Sequence, residues 1–275
     1  MLRQILSIVA AMSLACEPAE DELEVRVYGE AYIEEGIPAD VFDDGWALRY
    51  DKFLVSLGAV EVAASAAGGA GLGTRPLQVY DLTEPSKGAG QAVVADMVPV
   101  GGYHDVAYLI APYVESELAP PEPFIASDAS AADRALMEEG GFSVYVAGSA
   151  TKGGVTKTFA WGFATRTSYS ACESVAEVEP GASGQVQITI HGDHLFYDDL
   201  YSPTPMLLFG LVASADGDAD GEISRAELEA VDLRPLANYQ VGSTDIADLW
   251  HFIEHQTSTI GHIDGEGHCH NTRER

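Results

Sequence analysis

The stretch DGDADGEISRAE, Asp216 to Glu227, sets carboxylates at alternate positions and closes on a glutamate. An EF-hand loop surrounds a calcium ion in this way, with oxygen ligands at positions 1, 3, 5, 7, 9 and 12, glycine at 6 for the sharp turn and an aliphatic residue at 8. Asp216, Asp218, Asp220, the Glu222 carbonyl, Ser224 acting through water, and Glu227 fill the ligand places, with Gly221 at the turn and Ile223 at the aliphatic position. Carboxylates this crowded repel one another unless something positive sits among them. The competing reading is a solvated turn in an acidic protein. EF-hands ordinarily come in pairs, and the chain holds no second loop of this form. A lone site outside the cell is expected to hold structure, since abundant extracellular calcium fills even weak sites.

Histidine supplies a second chemistry. Of the eight histidines, His251, His255, His262, His268 and His270 fall near the end of the chain, while HGDH carries His191 and His194. Clustered imidazoles in an exported protein suit copper or zinc. His191 and His194 share a side only if Gly192 and Asp193 bend the chain after a strand. The Gly-rich GHIDGEGHCH segment then brings His262 and His268 to them, which gives a candidate site of four imidazoles; otherwise these are capped or solvated side chains. HFIEH, His251 to His255, has the form of an inverted zinc-protease motif. On a helix beginning near Thr244, however, Ile246, Leu249, Trp250 and Ile253 form the buried face, which leaves both histidines in solvent. A zinc-dependent hydrolase is therefore a minor alternative, and a binding protein, not an enzyme, is expected.

These residues need elements to hold them. Short period-two runs from Leu23 to about Tyr113, divided by Gly, Pro and Asp turns, predict antiparallel strands with one buried face. One helix is expected over Ser127 to Glu139, opened by SDAS and closed by Gly140-Gly141. Strands resume with FSVYVAGSA, TKTFAWGFATRTSY and GQVQITIHGD. After them Thr204 and Pro205 are expected to open an apolar helix, PMLLFGLVASA, and RAELEAV to form the helix leaving the acidic loop. The predicted fold is mainly β: an antiparallel β-sandwich over 25–200 with an α-helical extension over 201–275 that carries the EF-hand loop.

Residues 1–15 form an export signal, with Arg3, an apolar run and small residues before a cysteine. SLAC resembles a bacterial lipobox, which implies acylation of Cys16 and a tether over 16–24; ordinary secretory cleavage is the other reading. Cys172 and Cys269 then make an even pair in an oxidising compartment and are expected to form a disulfide, with two separate buried thiols as the alternative. The formal charge of -29 repels phosphate backbones, so nucleic acid is not an expected partner. The expected location is outside the cytoplasm on a lipid anchor, facing the periplasm or the cell surface, where a protein partner can be met.

The order DGW.LRYDKFLVSL, GGYHDVAYLI, FAWGFATRTSY and ITIHGD resembles the MbnP-like periplasmic proteins, β-sandwich partners of methanobactin copper systems. The resemblance covers roughly Leu23 to Phe196 and implies copper held by histidine and aromatic neighbours, with His191 and Trp161 as the matching residues. The four-cysteine signature of that family is missing here, and the acidic loop lies outside its pattern.

Overall fold

LEVRVYG alternates apolar and polar residues, and Leu23, Val25 and Val27 accordingly face the core while Glu24 and Arg26 face outward. The same rule builds most of the molecule. A computed structural model describes residues 19–64, 71–73, 76–114 and 125–274. The export signal and Cys16 lie outside the described residues. The strands are β1 (Glu20–Gly29), β2 (Ala47–Ala63), β3 (Gly71–Leu72), β4 (Gln78–Asp81), β5 (Gln91–Pro99), β6 (Gly101–Ile110), β7 (Val144–Lys152), β8 (Val155–Phe163), β9 (Arg166–Val178), β10 (Gly184–Ile190), β11 (Glu222–Ile223), β12 (Gly261–Ile263) and β13 (His270–Glu274). The helices are α1 (Ala31–Glu34), α2 (Ala131–Gly140), α3 (Gly210–Ser214), α4 (Arg225–Glu229) and α5 (Leu249–Gln256), with a 3-10 turn over Asp193–Phe196.

Two mixed sheets result. The smaller runs β12-β10-β1-β5; the larger runs β11-β8-β7-β2-β6-β9-β13, with β3 and β4 also paired to β2. Side chains of both sheets, among them Val25, Phe53, Val106 and Ile188, join one core in a sandwich-like arrangement. The expectation of a purely antiparallel fold is corrected at two places, because β1 pairs with β10, and β11 with β8, in parallel. The first of these matters for the site. Gly29 stands opposite Ile190, so both strands end at the same edge and deliver Glu30 beside His191. β1 ends at Gly29: a Cβ there would lie 2.7 Å from the Leu82 Cβ, and the chain turns into α1.

The helix predicted over Ser127 to Glu139 is α2. The Ser130 hydroxyl accepts from the Asp133 N–H, and Gly141 closes the helix with φ of 61°. The C-terminal part departs further from expectation. Instead of a helix from Pro205, α3 begins only at Gly210, since Leu207 first bridges to Tyr197 and the Phe209 and Gly210 N–H groups are held by Asp44. Nor is the region an α-helical extension. β12 joins the smaller sheet beside β10, and β11 and β13 join opposite edges of the larger one. Phe209, Ile223, Trp250 and Phe252 share the core of the strands. Three-residue β12 and the polar edge strand β13 carry no period-two apolar signal, which is why they read as loop.

Candidate metal centre

Two stretches of chain carry histidines to the edge where β1 and β10 end. His191 follows β10, and its N–H donates to the Ile260 carbonyl at 2.8 Å. Gly192 and Asp193 bend the chain into the 3-10 turn that carries His194. His262 lies on β12 opposite Thr189 of β10. The ring centroids of His191 and His262 are 4.4 Å apart, those of His191 and His194 5.2 Å, and those of His194 and His262 5.1 Å. His268 completes the predicted set from the rim, 5.4 Å from His262 and exposed. The expected group of four is thus brought together.

The segment bearing His262 and His268 crosses from one sheet to the other, and it is pinned on both sides. Cys269 is bonded to Cys172 of β9. Asp264 accepts from the Gln187 N–H on β10 at 3.0 Å and from the Ser174 hydroxyl on β9 at 2.8 Å. The disulfide is the pairing expected from cysteine parity.

Burial dominates the electrostatics. It holds His194 down to about 4, with Asp193 opposing and His191 and His268 adding to the shift. It holds His262 down to about 3, with the same neighbouring imidazoles adding to it. Both rings are therefore neutral at pH 7 and offer lone pairs, the state a metal requires. His194 Nδ1 lies 3.1 Å from the Thr259 hydroxyl, while His262 Nδ1 is buried with no partner.

Acidic groups surround the rings, and sequence reasoning left them out. Glu30 Oε2 stands 3.4 Å from His191 Nδ1, and burial together with the adjoining Asp193 carboxyl pushes Glu30 up to about 9. The Tyr197 hydroxyl donates to Asp193 Oδ2 at 2.7 Å, and the Tyr197 ring lies 4.7 Å from His194. Asp193 and Glu266 could have been found from HGDH and DGEGH, where they sit among the histidines. Glu30 could not, because only the parallel pairing brings it here.

The acidic loop lies on the far edge of the larger sheet. Carboxylate oxygens of Asp216, Asp218 and Asp220 come within 4.8 Å of one another. Gly221, with φ of 91°, makes the turn and donates its N–H to Asp216 Oδ2 at 3.0 Å. Glu227 faces Gly217 and Ser224: its Oε1 accepts from the Gly217 N–H at 2.9 Å and its Oε2 from the Ser224 N–H at 2.9 Å, while Ser224 caps α4. The Asp220 carboxylate accepts from the Glu222 N–H at 2.8 Å. Asp216 is also held by the Lys157 ammonium of β8, which lowers its pKa, and backbone and hydroxyl donors of Ser224 lower that of Glu227. Ile223 pairs with Phe159 through β11 and β8.

Two further expectations are changed. Trp161 stacks on Phe159 at 4.6 Å and donates its indole N–H to the Ile223 carbonyl at 2.8 Å, so its hydrogen bond supports the acidic loop. In HFIEH, helix α5 begins at Leu249 behind an Asp248 cap, not near Thr244. His251 is exposed as expected and its Nδ1 lies 2.8 Å from Asp248, but His255 is half-buried, facing a cleft with Thr165, Glu254 and Arg273. Arg273 of β13 lies on the same cleft.

No protein-family model matches the chain, and no curated protein matches it. Among solved structures, MbnP from Methylosinus trichosporium is similar, at 13% identity and a TM-score of 0.37, over 92% of this chain and 99% of that one. Among the described residues no helix is long and apolar enough to cross a membrane.

Proposed function

We propose that this is an exported metal-binding protein whose principal site is the histidine centre, and that copper or zinc is its ion. The observation that carries the reading is the convergence of His191 and His194 from one segment with His262 from another, with two of the rings held neutral by burial. Imidazole suits both metals, and copper is the one implied by the MbnP-like sequence pattern. Binding, not catalysis, is the proposed role, and acylation of Cys16 the proposed anchor, which would present the centre to a protein partner outside the cytoplasm. The internal disulfide suits an oxidising compartment. Elemental analysis of the purified chain tests the reading. Copper or zinc is expected in the wild type and absent after His191→Ala; a wild type that takes up neither metal on addition would overturn it.

A second reading, calcium held by Asp216, Asp218, Asp220, the Glu222 carbonyl, Ser224 and Glu227, is favoured by one specific observation. The Asp216 side chain has no exposed surface, and its Oδ1 lacks a hydrogen-bond partner. A carboxylate oxygen left without a donor is satisfied by a cation. Calcium would then fasten the loop to β8.

A further inference from the structure

We infer that the histidine centre holds two metal ions, one in each of two ligand triads that share His191. The inference rests on the transition-metal reading above and deepens it. Ligand atoms of His191, His262 and Glu266 lie within 4.8 Å of one another, and so do those of His191, Asp193 and His194. Donors around a tetrahedral zinc-sized ion sit roughly 3–3.5 Å apart, given bonds of about 2.0–2.2 Å, a spacing that lies inside this limit.

The two nitrogens of His191 look in different directions. Nδ1 faces Glu30 at 3.4 Å, and Glu30 adjoins Asp193 of the second triad. Nε2 faces the Gly265 carbonyl at 3.3 Å, one residue before Glu266 of the first triad. One edge of the ring is thereby presented to each group. A neutral imidazole keeps one N–H; ligation through both nitrogens releases that proton to solvent, and the second cation compensates the charge left on the ring.

Each triad also contains a buried polar atom with nothing to satisfy it. These are His262 Nδ1 in the first and Asp193 Oδ1 in the second, on residues 7% and 8% exposed. Orphans of this kind are rare and call for an explanation. Charge points the same way: among the described residues no lysine or arginine forms an ion pair with Glu30, Asp193 or Glu266, whose only such partner is His191 at Glu30. A cation seated there compensates the Asp193 and Glu266 carboxylates.

The test is a titration of the full chain with Zn2+, and separately with Cu2+, in excess calcium so that the acidic loop does not compete. Two ions per chain are expected by calorimetry and elemental analysis, falling to one in Glu266→Gln and in Asp193→Asn and to none in His191→Ala. Bound Cu2+ is expected to show an electron-spin signal well below its copper content, because the shared ring couples the two spins, with full intensity per copper in Glu266→Gln. Should Asp193→Asn fail to fold, the exposed Glu266→Gln decides alone. A single ion in the wild type overturns the two-ion inference and leaves the metal-binding reading standing. So does a count of two that persists in Glu266→Gln. Failure of the wild type to bind either metal overturns both.

Discussion

An imidazole in an unfolded chain takes up its proton near pH 6.5, whereas in the folded protein His194 waits until about 4 and His262 until about 3. Both groups therefore oppose folding in acid. The metal-free fold keeps its full stability from this source above about 6.5 and loses it as pH falls toward the folded values; at about 1.4 kcal/mol per unit the loss is on the order of a few kcal/mol. Urea unfolding at pH 7.5 and pH 4.5 is expected to show this decline, and His194→Gln to reduce it; equal declines in the two proteins would show that His194 is not held neutral. Glu30 runs the other way. Its folded value of about 9 lies above an ordinary carboxyl, so its contribution is intact at low pH and is lost as pH rises from about 4.5 to about 9. Glu30→Gln is thus expected to raise the melting temperature of the metal-free protein at pH 8, where wild-type Glu30 must either hold a proton or repel Asp193. A lower melting temperature in the variant would instead show that the Glu30 carboxylate is stabilised there by its neighbours.

Elements, not single residues, decide which expectations held. His191 and His194 were readable as neighbours because two residues separate them, and the pinning by Cys172 and Cys269 extended that reading to His262 and His268. Glu30 and the parallel register were not readable, since strand order is set by pairing across most of the chain. The segment that carries His262 and His268 is short, polar and tied at Cys269 and Asp264, and two consequences follow. On the chain-entropy model, a loop closed over a sequence separation of 97 contributes roughly 4–5 kcal/mol, so a Cys172→Ala, Cys269→Ala protein should unfold at markedly lower urea. Metal affinity should fall as well, because the segment then samples positions with His262 withdrawn. The acidic loop is an element in the same sense. β11 is too short to stand alone and is held by β8 and by the Trp161 N–H, so a cation in the loop is expected to stabilise the edge of the larger sheet. For a site with affinity near 10⁻⁴ M, 10 mM calcium stabilises the fold by about 2.7 kcal/mol through mass action. A thermal melt with calcium against one with chelator measures this, and Asp216→Ala should abolish the difference. No difference in the wild type would remove calcium from the account.

The whole molecule carries a formal charge of -29 in 275 residues, and folding concentrates that charge at a closed surface. Self-repulsion of this size destabilises the compact state more than the expanded one, and salt relieves it. The screening length falls from about 30 Å at 0.01 M salt, comparable with the dimensions of the protein, to about 8 Å at 0.15 M, comparable with the spacing of neighbouring side chains. Raising sodium chloride across that range is therefore expected to raise the melting temperature of the metal-free protein. The metal sites should appear in the same experiment. Ions seated at the histidine centre and in the acidic loop remove charge where it is most crowded, beside Glu30 and Asp193 and among Asp216, Asp218 and Asp220. The loaded protein should then melt higher at low salt and gain less from added salt than the stripped protein. Parallel salt curves for the two forms would mean that the repulsion is spread over the surface and that bound ions act only through their own ligands.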